Sequence, residues 1–117
     1  DLKELELRNL SQDDWSKIHE SMVNVIEGNT GTARRLKNLK TFTVAAKTGT
    51  AELVSLESKE DYEETRLDSN LRDHAVIIAF GPMPNPRYAV SVVVENGESG
   101  GSVAGPIAID VLEALIK

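Results

Sequence analysis

Four consecutive residues, Lys47-Thr48-Gly49-Thr50, combine a cation, two hydroxyls and a glycine within a run that otherwise reads as a strand, Val44 to Leu56. Side chains alternate along a strand, so Lys47 and Gly49 face one way and Thr48 and Thr50 the other. The two hydroxyls suit donation to a carboxylate. Lys47 attracts an anion and supports proton transfer, and Gly49 presents no side chain to a ligand lying along the strand. A backbone N–H on the same edge suits a developing oxyanion, where one donor contributes about 2.7–4 kcal/mol of transition-state stabilisation. The plain alternative is an ordinary strand with one exposed lysine. A phosphate-binding loop fits less well, because Lys47 follows Ala45-Ala46 rather than a glycine-rich run.

Elements on either side must hold this strand in place. Ser11 followed by Asp14 is a relative of the capping box. Beyond it Trp15, Ile18, Met22, Val25 and Ile26 recur at helical spacing, and Gly28 supplies a stop. A helix over residues 12–27 follows. Thr32 to Leu36 reads as a short helical turn. His74 to Phe80 and Tyr88 to Glu95 are apolar, β-branched strands, and the turn residues Gly81 to Pro86 between them favour an antiparallel pair. Their nearly continuous apolar character predicts a sheet covered on both faces. Asn96 to Gly101 reads as a flexible loop, and Val103 to Lys117 as a helix with Pro106 in its first turn. The expected architecture is α+β: a three-stranded antiparallel sheet, a C-terminal helix on one face and the first helix toward the cleft side, with open strand edges.

The remaining composition narrows the class. The 117 residues suit one domain, and their apolar and charged content is that of a globular body. A net charge of −6 argues against nucleic acid as a partner. The absence of cysteine excludes disulfide and thiolate chemistry. No stretch approaches the roughly 20 apolar residues that span a bilayer. The stretch 57–68 carries six acidic residues against Lys59 and Arg66, so residues 57–70 are expected to form a flexible, solvated loop.

A Lys-Thr-Gly element stands beside Ser-x-x-Lys and Ser-x-Asn in serine β-lactamases and penicillin-binding proteins. The series Gly31-Thr32-Ala33, Val44 to Ala51, Leu71 to Ala75, Phe80-Gly81-Pro82 and Val92 to Gly97 resembles, in order, the C-terminal part of the transpeptidase domain of class B penicillin-binding proteins. The nearest likeness is to the elongation type, penicillin-binding protein 2. The resemblance covers the chain from Ser11 onward. It implies that Thr48 and Thr50 hold the terminal carboxylate of a D-alanyl-D-alanine stem peptide or a β-lactam. Lys47 would assist proton movement, Gly49 would keep the cleft open, and the Thr50 N–H would supply half of an oxyanion hole. It implies further a peptidoglycan cross-linking reaction through a serine acyl-enzyme, with no cofactor. The setting would be the periplasmic side of the bacterial inner membrane, with cell-wall elongation proteins as possible partners.

The sequence also departs from that pattern. It contains no Ser-x-x-Lys and no Ser-x-Asn. The nucleophile and its base lysine lie upstream in the family, so residues 1–117 read as the C-terminal, Lys-Thr-Gly portion of a larger domain and by themselves as inactive. Two other readings stand beside this one: a non-catalytic binding or assembly fragment, and part of a serine β-lactamase or D-alanyl-D-alanine carboxypeptidase. His19 reads as a packed or rim residue of the first helix. His74 reads as structural at the start of its strand, and Arg34-Arg35 as surface charges. Two distant histidines without cysteine give no zinc pattern, and the carboxylate clusters lack calcium-loop spacing.

Overall fold

The computed structural model of the chain describes residues 9–53, 60 and 68–117. Helix α1 spans Gln12–Glu27 and starts on a complete capping box. The Ser11 hydroxyl accepts from the Asp14 N–H at 3.1 Å, while the Asp14 carboxylate accepts from the Ser11 N–H at 2.8 Å. The Ser11 N–H foremost, and the Ser11 hydroxyl donating to the same carboxylate at 2.7 Å, hold the Asp14 carboxyl below its usual value. The helix ends at Gly28, whose N–H donates to the Asn24 carbonyl at 3.0 Å.

A tight 3₁₀ turn, Arg34–Leu39, leads into the sheet. Strands β1 (Ala45–Ala51), β2 (His74–Gly81) and β3 (Tyr88–Val94) pair antiparallel in the order β1-β2-β3. The register sets Lys47 opposite Ile78 and Gly49 opposite Val76. It sets Val76 opposite Val93. A wide helical turn, Gly100–Ala104, then feeds α2, Gly105–Ile116, with Pro106 in its first turn.

The two faces of the sheet differ. Ala46, Ala75, Ile77 and Ala79 point to the face covered by α2, and pack with Ile109, Leu112, Leu36 and Ile26 into one buried core. Burying each of the isoleucine and leucine side chains stabilises by about 1.5–3 kcal/mol. Helix α1 lies over β1 on the opposite face, where its His19 ring meets Phe80 edge-on at 5.5 Å. Beyond its reach that face is open: Ile78 is 47% and Val93 63% exposed. The expectation of a sheet covered on both sides therefore fails here among the described residues. Continuous β-branched runs reflect strand propensity as well as burial.

Three further expectations need revision. Strand β1 ends at Ala51 rather than Leu56, because its partner β2 begins at His74, opposite Ala51. The final helix begins at Gly105, after the wide turn, rather than at Val103. Gly100 and Gly101, read as part of a flexible loop, are buried. Most of the acidic stretch 57–70 lies outside the described residues; at its end Ser69–Leu71 forms a 3₁₀ turn.

Ion pairs and hydrogen bonds tie the segment leading into β1 to both helices. The Thr41 N–H and hydroxyl donate to the Glu113 carboxylate of α2, at 2.5 and 3.0 Å. Glu27, in the last turn of α1, accepts from the Lys40 ammonium and lies 3.5 Å from Lys37. Only 7% of the Lys40 side chain is exposed. The Lys40 hydrogen bond, aided by its charge and by Lys37, holds the Glu27 carboxyl below the ordinary value of 4.5 against the opposing effect of burial. A carboxyl lowered on folding stabilises the fold fully above its unfolded value, and that contribution is lost as pH falls through the folded one. Glu27→Gln is therefore expected to cost about 1.5–3 kcal/mol at neutral pH. It should also flatten the loss of stability below pH 4.5. Urea denaturation of both proteins across that acid range checks this.

Candidate functional site

The outer edge of β1 is not paired with another strand among the described residues. An unpaired strand edge presents N–H and C=O groups on alternate residues, ready for an extended ligand. Lys47 and Thr50 are exposed on it, and Thr48 and Gly49 are half-buried. Lys47 and Gly49 share the α1 face with Ile78 and Val76, and Thr48 shares the α2 face with Ile77. The alternation expected from the sequence thus holds, and the four residues stand side by side.

A groove of about 540 Å³ opens beside Lys47. Its other walls are Ser21, Asn24 and Val25 of α1, then Gly28 and the turn Thr30-Gly31-Thr32. The Lys47 ammonium donates to the Thr48 carbonyl at 2.6 Å. The Thr32 and Thr48 hydroxyls lie 2.9 Å apart. Thr32 is thus a neighbour of the site to which the sequence assigned no role. Its signal was its place in Gly31-Thr32-Ala33, one of the segments that carry the family resemblance.

Why the groove has this shape follows from close backbone approaches. The turn at residues 30–32 folds back under α1, with the Ala33 N–H donating to the Val25 carbonyl at 3.0 Å. A Cβ at Gly31 would fall 2.3 Å from that same carbonyl, so only glycine fits. Gly100 lies as tightly against β1 and β2: its Cβ would sit 2.3 Å from the Val76 oxygen and 3.0 Å from the Gly49 oxygen. Gly49 differs. A Cβ there would meet only the Val76 Cβ, at an ordinary 3.7 Å.

The local charge runs against that of the whole chain. Lys17 pairs with Asp13, and Lys37 and Lys40 with Glu27. Arg87 lies over the Tyr88 ring at 5.6 Å. Arg34, Arg35 and Lys47 have no acidic partner among the described residues, and all three border the turn at Thr30 to Thr32. In a protein of net charge −6 this is a local positive field, which raises the concentration of anions at the groove.

The two histidines stay out of this arrangement. His19 packs between Trp15, at 6.0 Å, and Phe80. His74 accepts the Asn96 N–H on Nδ1 at 3.0 Å. Asn96, at φ 56°, also donates to the carbonyls of Asn70 and Arg72, closing the turn after β3. No cluster of three or more metal-ligating side chains occurs among the described residues.

Residues 1–113 match the penicillin binding protein transpeptidase domain. The chain belongs to the penicillin-binding-protein transpeptidase family. Among curated relatives of this transpeptidase segment, the Haemophilus influenzae peptidoglycan D,D-transpeptidase MrdA is 36% identical over 99 residues. The match takes in 85% of this chain and 15% of that protein's length. The crystal structure of Pseudomonas aeruginosa PBP2 in complex with WCK 5153 superposes with a TM-score of 0.75 at 34% identity, over 97% of this chain and 21% of that one. The Helicobacter pylori PBP2 complex with MreC gives 0.67 at 27% identity, over 93% and 21%. The penicillin G acyl-enzyme of Mycobacterium tuberculosis penicillin-binding protein A gives 0.65 at 31%, over 96% and 22%. The three-stranded antiparallel sheet with its helices is thus a partial transpeptidase domain. None of the helices among its described residues is long and apolar enough to cross a membrane.

Proposed function

We propose that residues 1–117 form the C-terminal, Lys-Thr-Gly portion of a serine D,D-transpeptidase that cross-links peptidoglycan stem peptides and is acylated by β-lactams. The observation that carries this reading is the edge of β1, unpaired among the described residues, which carries Lys47, Thr48, Gly49 and Thr50 in a row, with Lys47 lining an open, locally positive groove. The hydroxyls of Thr48 and Thr50 hold the terminal carboxylate of a D-alanyl-D-alanine stem peptide, or that of a β-lactam. Lys47 attracts the carboxylate and supports proton movement. The Thr50 N–H supplies half of the oxyanion hole.

The serine and its base lysine come from a part of the protein outside these residues, since the sequence contains no Ser-x-x-Lys. The serine oxygen bonds to the penultimate carbonyl carbon, the C–N bond breaks, and terminal D-alanine leaves with the proton on its amine. An acceptor amine then displaces the serine and forms the cross-link. A periplasmic location and elongation-machinery partners fit the names of the relatives, among them the PBP2 complexed with MreC.

Gly49 offers the cleanest test, because nothing among the described residues requires a glycine there. In the full-length protein carrying this segment, labelled penicillin should be captured covalently. Gly49→Ala should leave the melting temperature unchanged or slightly raised, since alanine is favoured over glycine in a strand by roughly 0.5–1 kcal/mol. Capture should nevertheless fall by about 10- to 100-fold, because the methyl displaces a ligand lying along the edge. No capture by the wild type would overturn the reading. Undiminished capture by Gly49→Ala would remove this edge from the site.

A further inference from the structure

The 2.9 Å contact between the Thr32 and Thr48 hydroxyls joins residues 16 positions apart, and the surrounding backbone fixes both ends. The Gly31 N–H donates to the Gly28 carbonyl at 3.0 Å, and the Ala33 N–H to the Val25 carbonyl at 3.0 Å, which holds the turn that carries Thr32. Gly101 lies against the Thr32 carbonyl so closely that a Cβ there would be 2.6 Å away. On the other side, Gly100 backs the β1 residue itself, its Cβ position 3.2 Å from the Thr48 Cβ. The backbone on either side of the pair is thus held at the junction of three segments, while the hydroxyl pair itself is open to solvent.

Each hydroxyl has a single proton, so only one of the two donates to the other. If Thr48 donates to Thr32, Thr48 shows only lone pairs to a ligand and repels a carboxylate. If Thr32 donates to Thr48, the Thr48 proton is free for a ligand at the β1 edge. A carboxylate selects the second arrangement, and successive bonds in such a chain polarise one another.

We propose that Thr32 is a positioning residue of the anion site: its hydroxyl donates to Thr48 and commits the Thr48 proton to the carboxylate of a peptide or β-lactam. This rests on the reading of the β1 edge as the carboxylate-binding wall. Thr32 acts on binding of the anion and takes no part in breaking the bond.

The test is the concentration dependence of penicillin capture by the full-length protein, which separates the binding step from the first-order acylation step. Thr32→Val is expected to weaken binding by about 5- to 10-fold, the loss of one neutral hydrogen bond. It should leave the acylation rate constant and the melting temperature in place. Thr32→Ser should bind within twofold of wild type, and Thr32→Ala should show the same split as the valine variant should that one prove unstable. The Thr32→Val/Thr48→Val double variant should be no worse than Thr48→Val alone, because both remove one chain of bonds. Unchanged binding in Thr32→Val, a loss additive with Thr48→Val, or failure of serine to restore binding would each overturn the role of Thr32 while the β1 site stands. A wild type that captures no penicillin overturns the site reading, and the role of Thr32 with it.

Discussion

Lys47→Ala should cut penicillin capture by the full-length protein by about 10²- to 10³-fold while the melting temperature stays put. The ammonium touches nothing structural beyond the carbonyl of its own neighbour, Thr48, and it is exposed. Exposed substitutions away from packing usually move stability within about 0.5 kcal/mol. The expected functional loss is larger because, in the proposed site, the charge acts twice, in attracting the carboxylate and in supporting proton transfer, a class of effect worth about 10²- to 10⁴-fold. Thr50→Ala should lose capture with equally little change in melting. Covalent labelling beside a thermal melt decides the matter. Capture by Lys47→Ala at the wild-type rate would show that the lysine is an ordinary surface charge.

Gly100→Ala should do the opposite and destabilise the fold by about 3 kcal/mol or more, beyond the usual range for overpacking. The added carbon would sit 2.3 Å from the Val76 carbonyl oxygen and 3.0 Å from that of Gly49. Both are backbone atoms inside a paired sheet and neither yields as a side-chain tip would. The wide turn Gly100–Ala104 would have to lift from β1 and β2, drawing α2 with it. The melting temperature of the full-length protein should fall accordingly. Gly49→Ala, which meets no such obstacle, is the internal control. Equal melting of the two variants would mean that Gly100 is not pressed against the sheet.

What the sequence disclosed, and what it hid, divides along physical lines. Helix α1 was legible to the residue, because Ser11, Asp14 and Gly28 write its two ends in local chemistry. The three strands were legible from their β-branched runs, and the placement of Lys47, Thr48, Gly49 and Thr50 followed from alternation along one strand. The end of β1 was not, because Val54 and Leu56 favour extended backbone while pairing stops where β2 stops. The glycines after β3 looked like loop residues. Their task, letting a turn lie against β1 and beneath Thr32, depends on neighbours 50 to 70 positions away that no local pattern records. Thr32 was missed for the same reason: its partner sits on another element. The openness of the sheet at Ile78 and Val93 was hidden because burial of a strand is decided by how far a helix reaches across it.

The chemistry of β1 depends on its register against β2. The strand presents a cation and a gap on one side and two alcohols on the other, so sliding it by a single residue against β2 would exchange them and invert the site. The stops lie just upstream, where the Met83 N–H clamps the Thr43 carbonyl at 2.8 Å and Thr41 is moored to Glu113. On the proposed reading of this edge, its preference for a carboxylate would depend on two anchors upstream of the four site residues.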